Sequence, residues 1–263
     1  NLPIAHIQGG EISGSIDETT RHLITKMSHL HFPSTERSKE IIIQLGEDPK
    51  TVFNFGCPSS DYLVKTEPIL DKNFFNKMGI GTIDATKPYF LVIFHPITTS
   101  YDKSSREIDI LLSTLDQIKH PTVWLWPNID AGSNLIAKKL RVFRESNNAD
   151  WLCLIKNLNP QDFHKALSSS SCAIGNSSSF VRDSCFFGTP VVLVGARQNG
   201  REHGNNLVNV SVTKNKIRNA IKAQLAHGKY KPSKLYGSGK ASKKIVNKLS
   251  KFKPTIQKQF HIE

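Results

Sequence analysis

The chain has 263 residues, of which 38% are hydrophobic and 22% are charged, as is typical of a globular protein with one large core or two smaller ones. No apolar run approaches the ~18 residues that a membrane-spanning helix needs, which predicts a soluble protein with no membrane partner. The formal net charge of +13 can attract nucleic acid or a diphosphate, but the lysines between Lys214 and Lys258 follow helix spacing without interleaved aromatic residues, which favours a solvated surface and argues against nucleic acid.

Residues 1–87 have the pattern of the end of an α/β domain followed by a linker. In chain order, the patterns predict a strand at residues 4–7, a helix at 17–27, a short apolar stretch at 31–32, a helix at 35–45 and a strand at 52–55. Glycines and prolines between residues 59 and 87 are typical of a linker. The chain opens directly on an apolar strand without the charged segment of a signal peptide, so we expect the first strands of this domain to precede residue 1.

Residues 88–235 have the alternating pattern of a complete second domain. Apolar runs predict strands at residues 89–94, 122–126, 151–155, 172–174 and 190–194, and amphipathic patterns predict helices at 104–118, 133–145, 162–168, 180–187 and 214–226. Continuous apolar strands that alternate with such helices predict a parallel sheet covered on both faces, a doubly wound α/β domain. A last helix, at 240–249, lies within a separate C-terminal segment, residues 236–263.

Four loops at the predicted strand ends are unusually polar, at residues 95–99, 127–133, 175–179 and 195–202. In a doubly wound sheet, ligands bind beyond the carboxyl ends of the strands, so these loops are expected to carry function. The loop at 175–179 suits a phosphate, because its small side chains let backbone N–H groups approach and it opens a helix. Simple capping of that helix by Ser or Asn is the alternative.

Single residues in and beside these loops carry the predicted chemistry. Asp183 follows the loop at 175–179 by about one helical turn and could accept a ribose hydroxyl, or could serve only as a favourable carboxylate near a helix start. Arg197 and Arg201 could hold phosphate oxygens, with surface charge as the alternative. His95 is the only histidine directly after a strongly buried strand, which favours a functional role over a structural one.

The front of the chain also clusters residues suited to acid and base chemistry. Gly9 and Gly10 follow the first strand and permit close approach of a ligand, and charged residues follow at Glu11, Asp17, Arg21 and His22. The interpretation as paired acid and base groups beside a nucleotide competes with a capped helix that carries an internal Asp17–Arg21 pair. None of the polar loops has the histidine spacing of a metal site, so we expect no metal.

The four cysteines, Cys57, Cys153, Cys172 and Cys185, lie far apart without a CxxC pair. This spacing excludes a zinc ribbon. Scattered thiols indicate reduced cysteines, as in a cytoplasmic protein.

Eight segments that run in order along nearly the whole chain resemble the hydrolysing UDP-N-acetylglucosamine 2-epimerases. These enzymes include the bacterial epimerases of sialic-acid biosynthesis and the epimerase half of the animal bifunctional epimerase/kinase. The segments are HIQGGE at 6–11, IDETTRH at 16–22, ITKMSHLHF at 24–32, FHPIT at 94–98, PNIDAGS at 127–133, IGNSSS at 174–179, FGTP at 187–190 and RQNGRE at 197–202.

The resemblance implies a GT-B fold, with two Rossmann-like domains of which the first is truncated at its N-terminal side, and a final helix that returns to the first domain. It also implies a reaction: loss of the C2 proton and of UDP gives a 2-acetamidoglucal, and water then adds to give free N-acetylmannosamine. It implies a UDP-sugar as the substrate, no metal or nicotinamide cofactor, and a homo-oligomer, either a dimer or a tetramer.

The family's functional residues map onto this chain one by one. Asp17 matches an acid/base carboxylate and His95 a histidine that contacts the diphosphate, while the nucleotide-binding positions match Asn128, Ser177, Ser178 and Asp183. Gln8 stands where the animal enzyme has a catalytic Glu, so Glu11 is expected to carry more of the chemistry, and Asp183 replaces a Glu. The expected catalytic residues are therefore Glu11, Asp17 and His95, and the expected substrate-binding residues are Arg21, Asn128, Ser177, Ser178, Asp183 and Arg197.

Three alternatives stay open at this point. The same chemistry could act on UDP-N,N′-diacetylbacillosamine, or the nucleotide loops could belong to a GT-B glycosyltransferase. A nucleotide-sugar sensor is the third, since Lys138 and Arg141 match positions that bind a feedback inhibitor in the animal enzyme. A further family carboxylate is expected upstream of residue 1, so residues 1–263 alone are expected to bind UDP weakly and to lack epimerase activity.

Overall fold

The computed structural model describes residues 2–14, 16–97, 101–253, 257–259 and 261. The chain forms two compact units. The first unit comprises residues 1–65, 199–202 and 234–263, and the second comprises residues 66–198 and 203–233. Residues 98 and 99, which the sequence places in the polar loop after the first strand of the second domain, lie outside the described residues.

The described residues form strands and helices in a regular alternation. In chain order these are β1 (Ala5–Ile7), α1 (Asp17–Met27), β2 (Leu30–Phe32), α2 (Glu36–Gln44), a 3-10 helix (Pro49–Thr51), α3 (Ser60–Leu63), β3 (Gly79–Ile80), β4 (Phe90–Ile93), α4 (Tyr101–Ile118), β5 (Thr122–Leu125), α5 (Ser133–Ser146), β6 (Leu152–Ile155), α6 (Pro160–Ser169), β7 (Cys172–Gly175), α7 (Ser178–Phe187), β8 (Val191–Val194), β9 (Leu207–Val210), α8 (Lys214–His227) and α9 (Ala241–Leu249). Among these described helices, none combines the length and the hydropathy needed to cross a bilayer.

The first unit is built on a parallel pair of strands, β1 and β2, in which His6 lies opposite His31. Leu30 and Phe32 of β2 are buried and pack with Ile245 of α9. The start of α9 is fixed by Asp61, whose carboxylate oxygens accept from the N–H groups of Ala241 and Ser242 at 2.8 and 2.9 Å. These contacts hold α9 against the rest of the first unit.

The second unit is a seven-stranded sheet in the order β3-β6-β5-β4-β7-β8-β9. All neighbouring strands are parallel except β3, which runs antiparallel to β6 at one edge. Alternate residues of β4 enter two cores, with Phe90 and Val92 in one and Leu91 and Ile93 in the other. Because both faces are covered, the central strands β4, β5, β6, β7 and β8 are buried at every residue, which confirms the predicted α/β class.

Three differences from the sequence-based expectation have simple physical reasons. Residues 52–55 were expected to form a strand, but only Val52 bridges to β2, at His31. The strand β9 was not predicted because it is an edge strand, with Leu207 buried but Val208 exposed, and so lacks a continuous apolar run. The second unit begins at residue 66 rather than 88 because Phe75 and Ile83 of the expected linker are buried in its core.

Candidate active site

The crevice of a doubly wound sheet opens where the strand order reverses, which in the second unit is between β4 and β7. The last residue of β7, Gly175, has a φ of +139°, and a Cβ added there would lie 1.8 Å from the carbonyl oxygen of Ile93 on β4. Only glycine allows the two strands to approach this closely at their carboxyl ends. The loops that follow β4 and β7 are therefore brought side by side.

Asn176 joins these two loops. This fully buried side chain accepts from the N–H of His95 at 2.7 Å and donates to the carbonyl of His95 at 2.8 Å. The N–H of Asn176 donates in turn to the carbonyl of Ile93 at 3.1 Å. The main chain of His95 is thus fixed at the point where strand order reverses. Asn176 was not among the predicted site residues, although a polar residue directly after a buried strand is a signal that could have identified it.

The imidazole of His95 is prepared as a hydrogen-bond donor. Its Nδ1 accepts from the main-chain N–H of Asn128 at 3.1 Å. Burial lowers the pKa of His95, and the nearby Arg197 lowers it further against the opposing effect of Asp130, to about 4. At neutral pH the ring is therefore neutral, and since Nδ1 is the acceptor, the proton lies on Nε2.

Asp130 contacts two of the polar residues beside His95. One of its oxygens accepts from the side-chain amide of Asn128 at 2.5 Å and lies 3.7 Å from the guanidinium of Arg197. The guanidinium also donates to the carbonyl of Asn176 at 3.4 Å. The structure thus brings together three of the predicted site residues: His95, Asn128 and Arg197.

The loop after β7 leads directly into α7. Ser177 is the N-cap residue, but its side chain makes no capping hydrogen bond and instead meets the hydroxyl of Ser179 at 2.8 Å. The first N–H groups of a helix have no partner within the helix, and those not capped by a side chain can bind an anion. Ser178, the first residue of α7, is half-buried at the same place. This geometry suits the phosphate role that the sequence predicts for the loop.

Asp183 lies farther along α7 in a buried ionic cluster. Its carboxylate accepts from Nε of Arg182 at 2.9 Å and lies 3.8 Å from Nε2 of His164. Burial alone would raise the pKa of Asp183, but the charges and hydrogen bonds of Arg182 and His164 outweigh it, so that the pKa is lowered. The role of Asp183 as acceptor for a ribose hydroxyl stays a prediction, and His164 is a neighbour of this position that the sequence did not indicate.

The candidate acid/base groups of the first unit lie after β1. Gln8 has a φ of +65°, and its side-chain amide donates a hydrogen bond to Sγ of Cys57 at 2.7 Å, which fixes that side chain within the first unit. Glu11 is buried, and Arg21 of α1 donates to its main-chain oxygen at 2.8 Å. Asp17, the first residue of α1, is exposed.

Arg201 occupies a place that the sequence did not predict. It was expected either to hold phosphate oxygens or to be a surface charge. Its side chain is only 8% exposed and pairs with the carboxylate of Glu11 within the first unit, so the surface interpretation is wrong. The two residues are 190 positions apart in the sequence, and no local pattern indicates such a contact.

Residues 1–250 match the protein family described as UDP-N-acetylglucosamine 2-epimerase. The chain belongs to this family. It is 34% identical over 249 residues to a hydrolysing UDP-N,N′-diacetylbacillosamine 2-epimerase of Legionella pneumophila, an alignment that covers 95% of the chain and 64% of the relative. It is 36% identical over 228 residues to polysialic acid biosynthesis protein P7 of Escherichia coli, covering 84% of the chain and 56% of the relative. The chain therefore spans less than two thirds of the length of these relatives.

Solved structures of family members share the fold. The UDP-GlcNAc 2-epimerase of Neisseria meningitidis bound to UDP-GlcNAc matches with a TM-score of 0.74 at 17% identity, over 95% of this chain and 70% of that one. The enzyme of Methanocaldococcus jannaschii in complex with UDP-GlcNAc and UDP matches with a TM-score of 0.74 at 16% identity, over 95% and 69%. These likenesses confirm the predicted GT-B-like fold class.

Proposed function

We propose that this chain belongs to a hydrolysing 2-epimerase that acts on a UDP-linked 2-acetamido sugar. The observation that carries the proposal is the state of His95, which lies where the strand order of the sheet reverses. Its imidazole is neutral, and because Nδ1 accepts a hydrogen bond, the Nε2–H is the donor. A diphosphate leaving group needs hydrogen-bond donors and positive charge, and Arg197 and the start of α7 adjoin His95 through Asn176. The predicted nucleotide-binding residues Ser177 and Ser178 lie at that helix start.

The first half of the proposed reaction is an elimination. A carboxylate takes the proton from C2 of the sugar, the C2–H electrons form a double bond between C1 and C2, and the bond from C1 to the diphosphate oxygen breaks. UDP leaves with that electron pair. His95 stabilises the charge that develops on the diphosphate by donating its Nε2–H, and Arg197 adds a second cationic donor.

The second half is the addition of water to the 2-acetamidoglucal. Hydroxide from water bonds to C1 while a proton is delivered to C2 on the face opposite to the one it left. The net reaction consumes one water and yields UDP and the free sugar with inverted C2. We assign proton transfer to Glu11 and Asp17, with Arg21 held against Glu11 as a substrate-binding and orienting group.

Two substrates are supported by different observations. The primary candidate is UDP-N-acetylglucosamine, giving N-acetylmannosamine for sialic-acid-type sugars, in line with the family description and with the name of the Escherichia coli relative. The second is UDP-N,N′-diacetylbacillosamine, after which the Legionella pneumophila relative is named; a Campylobacter jejuni relative that is 35% identical is named for GDP/UDP-N,N′-diacetylbacillosamine. The family match favours both over a glycosyltransferase.

The test is an NMR time course with the full-length protein and each UDP-sugar in turn, without any acceptor. We expect release of UDP and of a free 2-acetamido sugar with inverted C2, and incorporation of one solvent deuteron at C2 in heavy water. The substrate with the higher kcat/KM identifies the sugar. No free sugar from either substrate, with product formed only when an acceptor is added, would contradict the proposal in favour of a glycosyltransferase.

A further inference from the structure

Residues 199–202 belong to the first unit, although the chain before and after them belongs to the second. Contacts within the first unit hold this stretch: Arg37 donates to the carbonyl of Gly200 at 3.3 Å, Tyr236 donates its hydroxyl to the carbonyl of Glu202 at 2.5 Å, and Arg201 pairs with Glu11. The first two contacts use main-chain oxygens, which any sequence supplies. The third depends on the identity of both side chains.

The pair of Arg201 and Glu11 is almost fully buried. Nη2 of Arg201 meets Oε2 of Glu11, and the side chains are 8% and 4% exposed. Arg21 holds the main-chain oxygen of the same glutamate at 2.8 Å. Gly10, with a φ of +76°, packs so tightly that an added Cβ would lie 2.1 Å from the carbonyl oxygen of Ser38. Glu11 is thus fixed at its main chain and at one carboxylate oxygen.

The second carboxylate oxygen of Glu11 has a different environment. Oε1 is buried and has no hydrogen-bond partner among the residues that the structure describes. A buried carboxylate oxygen without a partner is costly, so such an atom marks a place for a small polar ligand. Glu11 also lines a cavity of about 10 Å³ together with Arg37 and Arg201, which is about the least space that holds one water.

We propose that Arg201 is a positioning residue that holds Oε2 of Glu11 and so leaves Oε1 as the oxygen that exchanges a proton during the reaction. The terminal torsion of a glutamate is broad, and without Arg201 the carboxylate could rotate away from the orientation that presents an oxygen to the reaction. A displacement of about 1 Å in a reacting group can cost on the order of 100-fold in rate. This inference rests on the proposed function, because it assigns Glu11 a part in proton transfer.

The test compares Arg201→Met and Arg201→Lys with the wild type in the full-length protein. We expect Arg201→Met to lower kcat by about tenfold or more with KM and the Kd for UDP unchanged, and Arg201→Lys to recover part of the loss, because lysine keeps the charge but not the fixed fork of donors. Thermal unfolding shows whether each variant is folded at the assay temperature. Arg201→Lys also serves as the test if Arg201→Met does not fold.

The matched control is Arg37→Met, which removes an arginine of α2 that holds the same stretch through Gly200, leaves the pair of Arg201 and Glu11 in place and should leave kcat near the wild-type value. Normal kcat in both Arg201 variants would overturn the inference, as would a loss confined to KM and UDP affinity, which would make Arg201 a phosphate ligand. Equal losses of kcat in Arg201→Met and Arg37→Met would overturn it too. Such losses would come from weaker packing of residues 199–202 rather than from the orientation of Glu11. A wild type without turnover would overturn the proposed function and the inference with it.

Discussion

Asn176 bonds both main-chain polar groups of His95, accepting from its N–H at 2.7 Å and donating to its carbonyl at 2.8 Å. The same residue presents its own carbonyl to Arg197 at 3.4 Å and to Gln198 at 3.2 Å. One buried asparagine therefore connects the loops after β4, β7 and β8, through its side-chain amide and its main-chain carbonyl. Those loops supply the donors that the proposed reaction needs around the diphosphate.

Asn176→Ala is expected to lower turnover by about tenfold or more, because it frees the main chain of His95, and to destabilise the fold by about 1–3 kcal/mol through unpaired buried groups. The measurement is kcat together with thermal unfolding. Asn206→Ala is the matched control, since Asn206 is also a buried asparagine and bonds Ser184 and Thr189 instead. It should lose comparable stability but keep its kcat. Equal activities in the two variants would show that Asn176 only supports the fold.

His95→Ala is expected to lower turnover by about 10²–10⁴-fold, the usual contribution of a positioned acid, base or donor, while the protein stays folded. Steady-state kinetics and circular dichroism are the measurements. His227→Ala is the control, because His227 is exposed and stacks on Tyr230. Near-normal turnover by His95→Ala would make His95 a structural residue.

Arg197→Gln is expected to raise the pKa of His95 from about 4 towards 6.5, since burial and the charge of Arg197 both lower it in the wild type. Burial, the larger cause, remains in this variant, so the midpoint should rise only part of the way, and the chemical shift of its Cε1–H, followed by NMR across pH 3–8, measures the change. Arg182→Gln, which removes an arginine next to Asp183, should leave the titration of His95 unchanged. An unmoved His95 midpoint in Arg197→Gln would show that burial alone sets its pKa.

The local patterns of the sequence were sufficient for most of the fold but not for the contacts that build the site. The helix expected at residues 17–27 has the observed bounds Asp17–Met27, because its amphipathic period is clear without any tertiary contact. The position of His95 followed from a strongly buried strand. Its protonation did not, because that depends on Asn128 and Arg197, which reach the ring only through the folded sheet.

Arg201 shows the other limit of sequence reasoning. The sequence left it open whether Arg201 is a phosphate ligand or a surface charge, whereas the structure pairs it with a glutamate 190 positions away. The sequence did not predict the strand β9 or the burial of Phe75 for a similar reason. An exposed edge strand and a loop packed on a core have no periodic hydrophobic pattern.

Glu47 gives the first unit a predictable response to acid. Burial alone would raise the pKa of this carboxylate, but hydrogen bonds from His31, Lys258 and Lys26 outweigh it and lower the pKa to about 2. A depressed folded-state pKa contributes stability that is complete above the unfolded value near 4.5 and is lost as pH falls towards 2, on the order of 3 kcal/mol in all. Urea unfolding at a series of pH values should show this loss in the wild type.

The pH dependence of the free energy of unfolding in two variants shows whether Glu47 causes the loss of stability in acid. Glu47→Gln should flatten the dependence of the free energy of unfolding on pH between about 4.5 and 2, while Glu40→Gln, which removes an exposed carboxylate of α2, should leave it as in the wild type. The same slope in both variants would place the acid sensitivity elsewhere in the chain.

Gly175→Ala is expected to be among the most damaging single-methyl changes in the second unit. Its Cβ would lie 1.8 Å from the carbonyl oxygen of Ile93, and the φ of +139° is one that alanine rarely adopts, so β4 and β7 would have to separate where the site is built. Gly228→Ala is the matched control, because Gly228 also has a positive φ, +72°, but an added Cβ would meet nothing within 4 Å. Strain alone costs about 1–3 kcal/mol, so Gly228→Ala should lose about that much stability and Gly175→Ala clearly more, together with its affinity for UDP. Equal unfolding free energies for the two variants, measured in urea, would mean that the contact between β4 and β7 yields without cost and that glycine is needed at 175 only for its backbone angle.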